Sequence, residues 1–250
     1  MSDSVPSSLQ PIPTAPPAGE AIHLRPTTAL AERVLLPGDP GRALALAQSL
    51  LVKPLMFNHH RGLWGYTGAA AFDGEPLTIQ STGMGGPSAA IVLTELIALG
   101  ARRMIRVGTC GALDPRLSLG DLLIARDAIC ADGASRALSM SERVAADHSL
   151  TEALIASTPS AHAGTIVSVD LFYDGRPPQH APEALAVEME AATLFAVGAV
   201  ASIPVACVLA VSDTFSRNEP HPPTRRRIDE ESLLGAAEKM GAVAVAALSR

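Results

Sequence analysis

Aromatic side chains are nearly absent from this chain of 250 residues, which carries one Trp, two Tyr and five Phe. Because 48% of the residues are still hydrophobic, the core has to be layered from Ala, Val, Leu and Ile between sheet and helices. Cysteine is sparse as well. Cys110, Cys130 and Cys207 lie far apart without CxxC spacing, which argues against a disulfide frame or zinc ribbon and fits buried, reduced thiols in a cytoplasmic protein. Positive charge is not in excess: the net charge is −6, so no global attraction draws the chain to nucleic acid or an anionic membrane. Any anion must be captured locally, by arginines and backbone amides. No apolar run reaches the ~18 residues that span a bilayer before Gly, Pro or a charge interrupts it. Common catalytic signatures are missing too. There is no GxxxxGK[ST], HExxH or GxSxG, Gly83-Met84-Gly85-Gly86 lacks full GxGxxG spacing, and the adjacent His59 and His60 cannot chelate one metal from a common face.

The opening MSDSVPSSLQPIPTAPPAGE has neither the basic start nor the apolar stretch of a signal peptide. Its Pro, Ser and Ala content predicts a disordered tail over residues 1–20, ahead of a single domain over 21–250. Within that domain apolar runs alternate with helix-like stretches, which predicts an α/β fold around a central sheet. Strands are expected at 34–36, 77–82, 104–107, 121–125, 164–169 and 205–211. Helices are expected at 42–52, 88–99 (stopped by Gly100), 188–201 and 230–249. Several strands run into a glycine-rich turn or a polar residue, the end of an open α/β sheet where ligands bind.

Four places can carry chemistry. The turn Pro37-Gly38-Asp39-Pro40-Gly41-Arg42 sets backbone N–H groups at a helix start beside a guanidinium, a cradle suited to phosphate; taken alone it is equally an ordinary turn. Arg106 lies in an otherwise apolar strand, so it meets either an anion or a carboxylate, with Thr109 just past the expected strand end. Glu188 and Glu190 do not share a helical face, so one can stay solvated while the other enters a pocket and reads a vicinal diol. Asp213 follows a fully apolar strand, where it is either a tuned acid or, with Ser212, a helix N-cap.

Seven segments in order, LLPGDPGRA, HRGLWGYTG, STGMGGPSAAI, MIRVGTCGAL, SVDLFY, VEMEAATLF and AVSDTF, resemble the nucleoside phosphorylase-I family of purine nucleoside phosphorylases, uridine phosphorylases and nucleosidases. The likeness runs from about Ile22 onward. It implies a single-domain three-layer α/β/α fold with a central mixed, partly barrel-like sheet, and a pentosyltransferase that splits nucleosides with inorganic phosphate as co-substrate and no cofactor or metal. By the same resemblance Gly38, Arg42, Arg106 and Thr109 hold phosphate, joined by Arg61 from a neighbouring subunit. His23 reaches across that interface to the 5′-hydroxyl, while Met189 and Glu190 contact ribose. Ser168, Phe172, Tyr173 and Ser212 line the base pocket, and Asp213 is the acid at the base, assisted by Arg226 or by Arg225 or Arg227. The implied assembly is a dimer as active unit within a hexamer. The stretch TGMGGPSAAIVLTEL and Asp132 to Ser135 look closer to uridine phosphorylases. However, the glutamine and arginine that read uracil do not fall in place at Asp174 to Gln179, and Asp213 favours purine.

Overall fold

The computed structural model describes residues 15–173, 183–215 and 225–250. In chain order the elements are β1 (Arg33–Leu36), α1 (Pro40–Leu50), β2 (Leu51–Asn58), β3 (Gly65–Ala70), β4 (Pro76–Gln80), α2 (Gly86–Leu99), β5 (Arg103–Ala112), β6 (Leu122–Ala131) and α3 (Gly133–Leu138). There follow β7 (Arg143–Ala145), α4 (His148–Ser157), β8 (His162–Val169), β9 (Ala186–Glu188), α5 (Ala191–Ala201), β10 (Val205–Phe215), β11 (Arg225–Arg227) and α6 (Glu230–Leu248).

Alternation along the strands explains the layering. In β10, Cys207, Leu209 and Val211 face a core shared with α2 and α5, while Ala206, Val208 and Ala210 face a second core shared with α1, α4 and α6. Both faces of the central strands are therefore covered, as their near-continuous apolar sequences require. The described strands form one mixed sheet ordered β11-β10-β6-β8-β9-β5-β1-β4-β3-β2, with β7 on β6. Because β10 also pairs with β5, the strands β10, β6, β8, β9 and β5 close into a ring. The expected three-layer fold with a partly barrel-like sheet is what forms.

Local chemistry sets the helix ends. Asp39, Asp132, Asp147 and Asp229 each accept an N–H of the first turn of α1, α3, α4 and α6. Gly100, at φ 116°, ends α2 where a side chain would be strained.

Several expectations change. Strand β5 does not stop at Val107 but runs through Gly108-Thr109-Cys110-Gly111, because β10 and β9 supply ladder partners as far as Gly111 and Ala112. Helix α5 starts at Ala191 rather than Glu188, since residues 186–188 are drawn into β9. The expected tail falls mostly outside the described residues, yet its described end is docked, with Gly19 N donating to Ala98 O at 2.7 Å. None of the described helices is long and apolar enough to cross a membrane.

Candidate active site

Register brings the chemistry together at one end of the ring. Gly111 of β5 pairs with Val187 of β9 on one side and with Asp213 of β10 on the other. With ~4.8 Å between neighbouring strands, the carboxylates at and just past the end of β9 and the one in β10 lie on either side of a single strand.

Arg106 is buried, and it sits between two carboxylates. Its Nε is 3.1 Å from Glu188 Oε2 and its Nη2 is 2.5 Å from Glu190 Oε2. Gly108 lies beneath the guanidinium so closely that a Cβ there would be 2.7 Å from Arg106 Cζ. Among the described residues the remaining nitrogen, Nη1, is buried with no hydrogen-bond partner, and it lies on the side of Gly38. A buried guanidinium edge without an acceptor is costly, and it marks where an anion would fit. Burial alone would lower the Arg106 pKa, but Glu190 and Glu188 outweigh it and hold the group charged.

Glu188 and Glu190 do differ in role, though neither is solvated, which corrects that expectation. Glu188 is consumed by the fold: Oε2 accepts Glu190 N at 2.9 Å and Ala191 N at 3.0 Å, and Oε1 takes the Ser168 hydroxyl. Burial pushes its pKa up, with Glu190 adding to the effect and Arg106 opposing it. Glu190 keeps its oxygens on Arg106 Nη2 and on Gly85 N, the latter at 2.6 Å. Met189, half-buried, separates the two.

The glycine turn abuts this cluster. Asp39 accepts Arg42 N at 2.7 Å, which fixes the start of α1, and a Cβ on Gly38 would be 3.9 Å from Arg106 Nη1. Burial lowers the Arg42 pKa, and the Arg106 charge lowers it further against the pull of Asp39 and Glu190. Thr109 is half-buried within β5, opposite Ala210.

At the other edge, a bulge leaves Ser212 as an extra residue between Val211 and Asp213. Bulges re-aim side chains beside active sites. Strand β10 continues through both residues, so neither caps a helix. Ser212 Oγ donates to Asp213 Oδ2 at 2.7 Å, and Asp213 Oδ1 faces the Nε atoms of Arg225 and Arg227 at 3.4 and 3.3 Å. Arg226 pairs with Thr214 in the ladder, and by strand alternation its two neighbours take the Asp213 side. The expectation for Arg226 is thus replaced by Arg225 and Arg227. The Arg225 guanidinium also lies 4.0 Å over the ring of Phe172, which meets Tyr173 edge-on at 5.0 Å. Ser168 is fully buried, with its hydroxyl bonded to Glu188 and to Ala192 N. The segment Asp174 to Gln179 lies outside the described residues.

His23 and Arg61 lie on two segments that are tied to each other. His23 Nδ1 contacts Glu95 Oε1 at 2.7 Å, and Arg61 is exposed in a short 3-10 turn at φ 59°. His60 Nδ1 joins the two segments through His23 O at 2.8 Å. Glu95 and Asn58, which anchor them, were missed from sequence; the one available signal was an acidic residue spaced with Val92 and Leu96 on the buried stripe of α2. Cys110 is buried, as its apolar surroundings lead one to expect, and burial raises the pKa of its thiol. Among the described residues no three His, Cys, Asp or Glu side chains are grouped to hold a metal.

Over residues 32–249 the chain matches the phosphorylase superfamily. It is 33% identical over 228 residues to the DeoD-type purine nucleoside phosphorylase of Geobacillus kaustophilus, covering 87% of this chain and 96% of that protein. The DeoD-type purine nucleoside phosphorylase of Clostridium beijerinckii is 34% identical over 230 residues, with the same 87% and 96% coverage. A uridine phosphorylase of Thermococcus kodakarensis is 37% identical over 212 residues, 76% of each chain. With the motifs in register, the fold formed and the match spanning all but the N-terminal segment, the chain belongs to the phosphorylase superfamily, in the nucleoside phosphorylase family that its sequence resembles.

Proposed function

We propose that this protein is a nucleoside phosphorylase that cleaves purine ribo- or deoxyribonucleosides with inorganic phosphate, releasing free base and pentose 1-phosphate for nucleoside salvage. The observation that carries the reading is the buried, unpartnered Nη1 of Arg106 facing Gly38, next to a carboxylate able to accept two sugar hydroxyls. Phosphate sits on Arg106, Arg42, Thr109 and the Gly38 turn. Glu190 accepts the 2′- and 3′-hydroxyls with Met189 beside it, and Phe172 and Tyr173 offer aromatic faces to the base.

A phosphate oxygen then bonds to the anomeric carbon as the glycosidic bond breaks. The electron pair leaves with the base, and Asp213 delivers a proton to, or hydrogen-bonds, purine N7 while Arg225 and Arg227 steady its carboxylate. The held anion stabilises positive charge developing on the sugar, and the acid stabilises negative charge on the base. Arg61 and His23 complete the site of a second copy, so the active unit is a dimer, assembled as a hexamer of three dimers in the cytoplasm.

A second reading, uridine as substrate, is favoured by the uridine phosphorylase relative. Release of base from inosine, adenosine and uridine, each with and without phosphate, separates the two. Phosphate-dependent cleavage of the purines is expected; cleavage of uridine alone overturns the base assignment.

A further inference from the structure

Glu95 belongs to no step of the reaction, yet its carboxylate is heavily engaged. It sits in mid-helix on the buried stripe of α2 and is 3% exposed. Its carboxylate accepts three successive backbone N–H groups, from Ile22 at 3.1 Å, His23 at 3.0 Å and Leu24 at 2.7 Å. The fourth contact is His23 Nδ1 at 2.7 Å. Four donors fill the lone-pair sites of a carboxylate. An ionised carboxylate cannot donate, so the imidazole has to present Nδ1–H to it; in the neutral ring this leaves Nε2 as an acceptor. The ring is about one-third exposed, with its side chain at 30%.

The same stretch is stitched to the turn carrying Arg61. His60 Nδ1 contacts His23 O, Arg25 N donates to Asn58 Oδ1 at 2.9 Å, and Asn58 Nδ2 donates to Leu63 O at 2.5 Å. An N-terminal segment held by so many bonds to one helix residue is aimed rather than merely attached.

We propose that Glu95 is a positioning residue: by fixing His23 as the Nδ1–H tautomer, it presents Nε2 as the acceptor for the 5′-hydroxyl of a nucleoside bound in an adjoining subunit. The substrate part of this inference rests on the phosphorylase reading; the tautomer part does not. A hydroxyl donating to Nε2 needs the ring nitrogen free of hydrogen, and the nearest device that dictates this is the carboxylate on the far side of the ring.

Two measurements test it on the full-length protein. Nitrogen-15 NMR of the histidines in the resting protein should show His23 protonated at Nδ1 with a bare Nε2; an Nε2–H tautomer overturns the proposal. In kinetics, Glu95→Gln places an amide N–H₂ among four donors. It should lower kcat/KM for a purine nucleoside about tenfold, the worth of one hydrogen bond, through KM more than kcat. Toward the matching 5′-deoxynucleoside, which has no hydroxyl for His23 to accept, the same variant should stay within roughly twofold of the parent. Adding Glu95→Gln to His23→Ala should then cost nothing further. Equal losses on both nucleosides make Glu95 a scaffold residue and refute the proposal, as does no loss on either. If the parent protein turns over no nucleoside, the phosphorylase reading fails, while the NMR result still decides the Glu95–His23 link. It decides that link equally if Glu95→Gln does not fold.

Discussion

Gly38→Ala tests the anion cradle with the smallest change available. The added Cβ would lie 3.2 Å from the Gly83 carbonyl oxygen and 3.9 Å from Arg106 Nη1. Gly38 is not among the glycines with positive φ, so alanine can adopt its backbone. The Gly83 contact is tight by a few tenths of an ångström, a crowding that costs the fold ~1 kcal/mol. Its effect on the ligand is larger. An anion oxygen would take up the unpartnered Nη1 at ~2.8 Å, and the methyl group occupies that approach. Losing one charge-assisted hydrogen bond is worth ~1.5–3 kcal/mol, which translates to a rise of ~10- to 150-fold in the phosphate KM. Initial rates of base release against phosphate, at saturating nucleoside, read this directly, with the nucleoside KM and the melting temperature as controls. A folded variant whose phosphate KM stays within roughly twofold of the parent would refute the cradle.

Other expectations follow from the same geometry. Asp213→Asn should lower kcat on purine nucleosides by ~10²–10⁴-fold, the range for a positioned acid, with the phosphate KM unchanged; equal turnover, read in the same base-release assay, removes Asp213 from the mechanism. Cys110→Ala should retain activity, because that thiol is buried and pushed towards the protonated form; loss of turnover in a folded variant would mean that the thiol takes part in the reaction. Burial of Glu95 would raise its pKa, but the Leu24 and His23 N–H groups and the His23 ring outweigh that and hold it below its ordinary 4.5. A lowered folded pKa gives stability that is present above 4.5 and lost as pH falls through the folded value. Hydrogen exchange, corrected for intrinsic rates, should therefore show the Ile22–Leu24 amides protected at neutral pH and released in acid; protection independent of pH contradicts the anchoring.

What the sequence revealed, and what it hid, follows from the range of the interactions. The strand-to-turn junctions at Leu36–Gly38 and the helices α1, α2 and α6 were legible because their signals are local: apolar runs, an Asp cap, Gly100. The extension of β5 past Val107 was not, since Gly108 and Gly111 read as a turn until β9 and β10 supply partners. The hairpin β2–β3 escaped notice because Pro54 and several glycines suppress strand periodicity there. Within the site, Arg106, Glu190 and Asp213 declared themselves as charges in apolar surroundings. The choice among Arg225, Arg226 and Arg227 depends on ladder register, which shifts side chains by one face per residue and leaves no trace in the sequence. Ser168 entered the base pocket only through the family resemblance, and its burial against Glu188 depends on tertiary packing that the sequence does not display.

If phosphate is the nucleophile, phosphorus-31 NMR of the protein with inosine and inorganic phosphate will show it. The phosphate resonance should decline as a pentose 1-phosphate resonance grows, one for each hypoxanthine released. Release of hypoxanthine with free ribose and an undiminished phosphate signal would contradict it and make water the nucleophile.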